Sequence, residues 1–215
     1  MPTERSNTLP RTHYAYPHNP NLEVVMRLSA VKRWHMIDTT RTQTLAEHTA
    51  NVSLLAWLIA HTSPSILFDP ASLLRGAMVH DLAEAFLGDI PTHSKPLIGK
   101  AAIDSAEATV LPAVFKSPLV PGTPDYRLLK LCDLADGIRF IRLHGVDVTA
   151  RHAQQGLEEQ WAARLGEARE VWPDNVWLHA FEHLNFYAYE SQAPGVRVAG
   201  GRRKDDARPL ADDMA

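Results

Sequence analysis

The 215-residue sequence lacks the features on which disulfide-rich, membrane-spanning and polyanion-binding proteins depend. It contains one cysteine, Cys132, which excludes an internal disulfide and a cysteine-rich zinc site. No apolar run approaches the length of a membrane span, and the N-terminus has no stretch resembling a signal peptide. A net charge of −3 and a pI near 6.4 give no electrostatic basis for binding nucleic acid. We therefore expect a cytoplasmic protein that binds neither a nucleic-acid polymer nor a membrane.

Both ends of the chain also lack the apolar patterns of folded segments. Residues 1–20 hold four prolines among scattered polar residues, and residues 192–215 contain paired glycines and mixed charges. We predict a flexible N-terminal arm over 1–20, a single domain over 21–191 and a disordered tail over 192–215. The 45% hydrophobic content is enough for one core.

Within 21–191, apolar residues recur at helical rather than strand spacing, which predicts an all-α helical bundle. The clearest stripe is Leu45, His48, Val52, Leu55 and Ile59, preceded by the capping-box pattern of Thr44 and Glu47. A second helix is expected to open at Asp69-Pro70, to run through Glu84 and to end before Gly88. Further helices are predicted near residue 22, over 100–115, from Thr123-Pro124, over 148–170 and from Pro173 to about 190.

Three places on these apolar faces carry residues that a core normally excludes. They are His48, the His80-Asp81 pair and Asp133, with Glu84 one turn beyond the pair. For His48 alone, the plainer interpretation is a core histidine hydrogen-bonded to a neighbour. Two imidazoles and two carboxylates arriving from three helices could instead satisfy one another through a divalent cation. Such a cation activates water and polarises phosphorus centres.

Three segments around these residues resemble a known family. RWHMIDTTRTQTLAEHTANV, HDLAEAFLGDIPTHSK and KLCDLADGI, which together span 33–138, are similar in order to the HD-domain metal phosphohydrolases. The likeness is to their deoxynucleotide-hydrolysing branch, which includes bacterial 5'-deoxynucleotidases and small phage dATP triphosphohydrolases. It implies a helical HD-type domain, a small deoxynucleotide substrate, a homo-oligomer and, for a viral protein, a location in the host cytoplasm.

The resemblance also implies roles for individual residues. His48, His80, Asp81 and Asp133 would bind a divalent metal, namely zinc, cobalt or manganese, with magnesium as a further candidate. Asp136 is the rival of Asp133, but the K-x-x-D pattern beginning at Lys130 favours Asp133. The carboxylates that transfer protons and orient water would be Glu84 and Asp89.

The substrate-binding residues implied by the resemblance are Arg33, Trp34, Met36 and Lys95. Arg33 and Lys95 would hold phosphate oxygens, and Trp34 would stack on the nucleoside, with Met36 shaping the base pocket. Without the resemblance, Arg33 would be interpreted as a surface charge and Trp34 as part of the core. His35 and His93, each close in sequence to one of these residues, are further candidates for contact with the ligand.

Three activities remain open at this point. The first is a dNTP triphosphohydrolase of the dATP type, which releases deoxynucleoside and triphosphate. The second is a 5'-deoxynucleotidase acting on monophosphates, and the third is a non-catalytic HD module that binds a nucleotide. The complete set of ligands and acids disfavours the third. Short spacings between the motifs, together with the position of Met36, favour the triphosphohydrolase over the monophosphatase.

Overall fold

The computed structural model describes residues 20–63, 68–91, 94–171 and 174–189, and the side chains of 22–63, 68–91, 94–170 and 180–189. The predicted arm, up to residue 19, and the predicted tail over 192–215 lie outside this range. The domain limits therefore stay a prediction.

Most of the described chain is helical, so the all-α prediction is confirmed. A short antiparallel pair of strands, in which Lys32 faces Thr44 and Arg33 faces Gln43, was not predicted. In chain order the elements are α1 (Pro20–Arg27), β1 (Lys32–Arg33), β2 (Gln43–Thr44), α2 (Leu45–Thr62), α3 (Pro70–Val79), α4 (Glu84–Leu87), α5 (Lys95–Ile98), α6 (Lys100–Val110), a 3₁₀ turn (Ala113–Phe115), α7 (Pro124–His144), α8 (Val148–Val171) and α9 (Asp174–Tyr189).

The predicted helix starts are confirmed at three N-caps. The side chains of Thr44, Asp69 and Thr123 each accept a hydrogen bond from a backbone N–H in the first turn of α2, α3 and α7. The capping box at α2 is only half formed. The Glu47 carboxylate accepts from the Arg41 guanidinium at 2.6 and 2.9 Å, which ties α2 to the loop before it.

The helix predicted from Pro70 through Glu84 is interrupted, and this prediction was wrong. α3 ends at Val79, and the chain makes tight turns through residues 80–83 before α4. The His80 ring nitrogen Nδ1 lies 2.7 Å from the Ala77 carbonyl, which would accept from the Asp81 N–H in a continuous helix. The interruption thus turns the His80 ring back along α3. The helix predicted over 100–115 likewise stops at Val110, because Leu111 precedes Pro112 and adopts an extended conformation.

α7 lies at the centre of the fold and packs against α2, α3, α8 and α9. Its fully buried side chains include Leu128, Leu131 and Ile138, and each contributes roughly 1.5–3 kcal/mol by leaving water. A smaller cluster joins Val24 of α1 to Leu82 and Ala85, and so covers the turns that follow α3. None of the described helices is both long and apolar enough to cross a membrane.

Candidate active site

Four predicted metal ligands meet between α2, the turns after α3, and α7. One ligand atom each from His48, His80, Asp81 and Asp133 lies within 4.8 Å of the others. His48 Nε2 is 3.2 Å from Asp133 Oδ1 and 3.4 Å from His80 Nε2. His80 Nε2 is 3.3 Å from Asp81 Oδ2. The fold therefore brings together residues that are far apart in the sequence.

The hydrogen bonds behind the two histidines decide what these atoms can bind. The partners of the Nδ1 atoms are the Ala77 carbonyl for His80 and the Asp136 carboxylate for His48, each at 2.7 Å. Both partners can only accept, so both Nδ1 atoms carry hydrogen and both Nε2 atoms face the cluster, where their lone pairs are available to a cation. Two such nitrogens and two carboxylates fit a divalent cation of the zinc, cobalt or manganese type.

The charge balance of the cluster points the same way. Burial and Arg33 lower the pKa of His48, but hydrogen bonds with the surrounding aspartates outweigh them and raise it to about 10. Burial alone would raise the pKa of Asp133, but Lys130 and His48 hold it well below its usual range. The pKa values of both Asp81 and Asp133 are lowered, so these two carboxylates are ionised and stabilise any positive charge placed between the two rings.

Asp136, the rival metal ligand, is not among the four converging groups and lies behind His48 instead. It is 1% exposed. Its oxygens accept from the His48 ring at 2.7 Å, the Gln43 amide at 2.8 Å, the Asn51 amide at 3.0 Å and the Tyr187 hydroxyl at 2.8 Å. A carboxylate with four donors is fully satisfied, so Asp136 fixes the orientation of the His48 ring. Gln43, Asn51 and Tyr187 were missed by the sequence analysis, because amides and a tyrosine on mixed faces give no pattern.

Arg33 and Glu84 lie on the other side of the cluster. Arg33 Nη1 donates to Asp81 Oδ2 at 2.9 Å and lies 4.0 Å from Glu84 Oε2. Arg33 Nε and Glu84 Oε2 are buried and have no hydrogen-bond partner among the described residues. Burial and the charge of Asp81 raise the pKa of Glu84 to about 9, against the opposing effect of Arg33. Buried polar atoms without partners are costly, so these two atoms mark a place where a ligand or water completes the bonding.

A cavity of about 650 Å³ opens beside this cluster, a size suited to a small molecule. Every residue predicted to bind substrate or to transfer protons lines it: Arg33, Trp34, Met36, Lys95, Glu84 and Asp89. Asp89 Oδ2 lies 3.6 Å from the His35 ring, which also lines the cavity, whereas His93 lies outside the described residues. The lining includes two cations that the sequence analysis did not assign to the substrate, Lys130 of α7 and Arg164 of α8.

Trp34 combines the two interpretations that the sequence left open. Its ring stacks on Phe140 with centroids 6.2 Å apart and planes 7° apart, and its Nε1 donates to the Gln43 side chain at 2.8 Å. Its φ of 61° is unusual for a bulky residue, and these contacts hold the backbone in that conformation. One part of the indole is therefore anchored in the core, while another faces the cavity.

Comparisons with known proteins place this geometry in a family. The family model described as 5'-deoxynucleotidase YfbR-like matches residues 21–107. The dATP triphosphohydrolase of cyanophage S-2L is 34% identical over 142 residues, which cover 65% of this chain and 80% of the relative. This chain is an HD-domain phosphohydrolase of the phage dATP triphosphohydrolase family. The dATP triphosphohydrolase of Salmonella phage PMBT28 is 27% identical over 162 residues, 71% of this chain and 81% of the relative.

A solved HD phosphohydrolase supports the assignment in three dimensions. The structure of the cyanophage S-2L HD phosphohydrolase (DatZ), bound to dA and one catalytic Zn²⁺ ion, matches with a TM-score of 0.67 and 29% identity. The match covers 78% of this chain and 95% of that one. The predicted resemblance, enzyme class and helical HD-type fold are thereby confirmed. So is the prediction of a divalent metal, since the related protein holds one and four ligand groups converge here.

Proposed function

We propose that this HD phosphohydrolase converts 2'-deoxynucleoside triphosphates, dATP foremost, into deoxynucleoside and triphosphate, with zinc or a similar divalent metal. The observation that carries the proposal is the opening of the four-ligand cluster onto the cavity beside Arg33 and Trp34. Curated relatives that act on dATP support the choice of substrate.

The metal would be held by His48, His80, Asp81 and Asp133. When bound, a divalent cation lowers the pKa of water and withdraws electron density from the phosphoryl group. The protein's part is to orient the ligands. The Asp136 carboxylate and the Ala77 carbonyl fix the two rings, and Arg33 holds Asp81 from the cavity side.

The reaction requires two proton transfers, for which two carboxyl groups line the cavity. A water oxygen forms a bond to the α-phosphorus, and the bond from that phosphorus to O5' breaks. The water proton passes to one carboxylate, and O5' receives a proton as the deoxynucleoside leaves. Burial raises the pKa of Glu84 and so favours its protonated form, and we therefore assign Glu84 the donation of the proton to O5'. Asp89 would then accept the proton from water.

Substrate recognition divides the cavity between charge and stacking. Arg33, Lys95, Lys130 and Arg164 supply four cations that can hold phosphate oxygens. The cavity face of Trp34 offers a flat apolar surface for the nucleoside, and the exposed side chain of Met36 lies beside it. The roles of Arg33, Lys95, Trp34 and Met36 follow the resemblance, and those of Lys130 and Arg164 rest on the lining of the cavity.

A 5'-deoxynucleotidase activity on dNMPs is the second candidate, favoured by the family model that matches residues 21–107. The same cluster, carboxyl groups and cavity serve that reaction. The two activities differ only in how many phosphates must fit.

One assay separates the candidates. The purified chain is freed of metal with a chelator and then incubated with each dNTP and dNMP plus Zn²⁺, Co²⁺, Mn²⁺ or Mg²⁺. Deoxynucleoside plus tripolyphosphate from a dNTP is the expected result. Orthophosphate from dNMPs alone would favour the nucleotidase, and no turnover with any metal would contradict both.

A further inference from the structure

Two glycines in the interior of α8, Gly156 and Gly166, raise the question of what excludes a side chain there. Glycine within a helix destabilises it by about 1 kcal/mol relative to alanine. Apart from its two chain neighbours and the backbone of α8 itself, a Cβ built on either residue meets no described atom within 4 Å, and neither residue has a positive φ. Neither the packing nor the backbone of the described chain therefore requires glycine at these positions.

The two positions differ in their surroundings. Gly156 lines the 650 Å³ cavity, whereas Gly166 does not. Gly137 of the facing helix α7 also lines the cavity, and a Cβ there would lie 3.5 Å from Trp34 and 3.6 Å from Leu157. The cavity wall beside the Trp34 ring is thus built from backbone on both helices, which allows a ligand to approach closely.

The order of residues along the two helices identifies the part of the ligand at Gly156. α7 and α8 run antiparallel, since Gly145 meets Ala150 at one end and Arg127 reaches Glu167 at 3.4 Å toward the other. At a rise of 1.5 Å per residue, Lys130 lies about 10 Å from Gly137 along α7, and Arg164 lies about 10 Å from Leu157 along α8. Asp133 lies between Gly137 and Lys130 on α7. Lys130 and Arg164 therefore lie toward one end of the groove and Trp34 and Gly156 toward the other, with the cluster residue Asp133 between them.

We propose that Gly156 is a specificity-determining residue, and that the nucleoside part of the substrate packs against the α8 backbone in the space a side chain would fill. This rests on the proposed function, because the ligand is taken to be a deoxynucleotide. The glycine would be kept at the expense of helix stability because the substrate uses the space.

The test compares Gly156→Ala and Gly156→Leu with the matched controls Gly166→Ala and Gly166→Leu in the metal-loaded full chain. Four quantities are measured: Tm, KM for dATP, Kd for 2'-deoxyadenosine by calorimetry, and the inhibition constant of tripolyphosphate, which has no nucleoside. Both alanine variants should raise Tm. Gly156→Leu should weaken deoxyadenosine binding and raise KM by about tenfold or more, equivalent to about 1.4 kcal/mol. Gly156→Ala should have a smaller effect, tripolyphosphate inhibition should not change, and both Gly166 variants should bind like wild type.

Each other outcome overturns a different statement. If Gly156→Leu binds deoxyadenosine and dATP like wild type, the inference is wrong and the proposed function stands. If Gly156→Leu lowers Tm and weakens tripolyphosphate inhibition to the same extent as nucleoside binding, the effect is structural and the inference is again wrong. If wild type neither binds deoxyadenosine nor hydrolyses any dNTP, the proposed function is wrong, and the inference that rests on it is wrong as well.

Discussion

Two buried acids on opposite sides of the metal cluster, Asp136 and Glu84, have opposite surroundings. Asp136 receives hydrogen bonds from four side chains, and although burial alone would raise its pKa, the bonds from His48, Tyr187 and Asn51 lower it. Glu84 Oε2 has no partner among the described residues, and burial raises the pKa of Glu84 to about 9. The first acid is satisfied and ionised, as a positioning residue should be. The second keeps a proton and an open bonding site, as a group that transfers protons should.

The largest effect is expected where the two sides meet. Asp81→Ala removes a cluster carboxylate and the partner of Arg33 at once, leaving a buried guanidinium without its ion pair. Activity should fall below detection, and metal content measured by mass spectrometry should fall well below one ion per chain. Full activity with normal metal content would remove Asp81 from the site.

Glu84→Gln should lower kcat by about 10²- to 10⁴-fold, the usual contribution of a general acid or base. Because the amide has the same shape as the protonated acid and no charge, metal content should stay close to wild type and Tm should not fall. Steady-state kinetics, a thermal melt and metal analysis measure the three quantities. A variant with wild-type kcat would show that Glu84 only packs.

The raised pKa of Glu84 also predicts a pH dependence of stability in the metal-free protein. Its folded pKa of about 9 exceeds the unfolded value of about 4.3, so its contribution is fully present below pH 4.3 and declines as pH rises through 9. The free energy of unfolding of wild type should therefore fall relative to that of Glu84→Gln between pH 5 and pH 9. Urea unfolding at both values measures it, and a difference independent of pH would contradict the buried, protonated carboxyl.

Asp136→Asn tests the acid whose hydrogen bonds are all made. The Asn amide nitrogen would face at least one N–H or O–H group from which the carboxylate now accepts a hydrogen bond. Losing that bond should lower the free energy of unfolding by about 1–3 kcal/mol. A less constrained His48 ring should weaken metal affinity by about 10- to 100-fold. Denaturant unfolding and a competitive metal titration measure these effects. Unchanged metal affinity would contradict the positioning role.

Tyr187→Phe should have the smallest effect, because it removes one of four donors to Asp136 and leaves the ring in place. A loss of about 1 kcal/mol in unfolding free energy, with kcat within a few-fold of wild type, is expected. A large loss of activity without loss of stability would instead place Tyr187 in the catalytic step.

The sequence predicted some of these features for physical reasons and missed others for equally physical ones. Apolar stripes, prolines at helix starts and acids on buried faces are local signals, so the helices, their caps and the four converging ligands could be anticipated. The break after Val79 could not, because the bond from the His80 ring to the Ala77 carbonyl that accompanies it leaves no local sequence pattern. Arg164 entered the site only through the packing of α8 along α7, whereas Lys130 lies one turn before Asp133 on α7 itself.

The role of Asp136 shows the same limit within the site. Asp133 and Asp136 lie three residues apart on α7, so both project from a similar face of the helix. Only the fold decides which of them faces the cluster and which lies behind His48. The partners of Asp136 come from three other segments, so no local pattern marks them.

The most direct test of the account is hydrolysis of dATP by the zinc- or cobalt-loaded protein in ¹⁸O-labelled water, with the products separated and weighed by mass spectrometry. Attack on the α-phosphorus with departure of O5' predicts one ¹⁸O in the triphosphate and none in the deoxyadenosine. Label in the deoxyadenosine, or orthophosphate and dADP as the products, would contradict it.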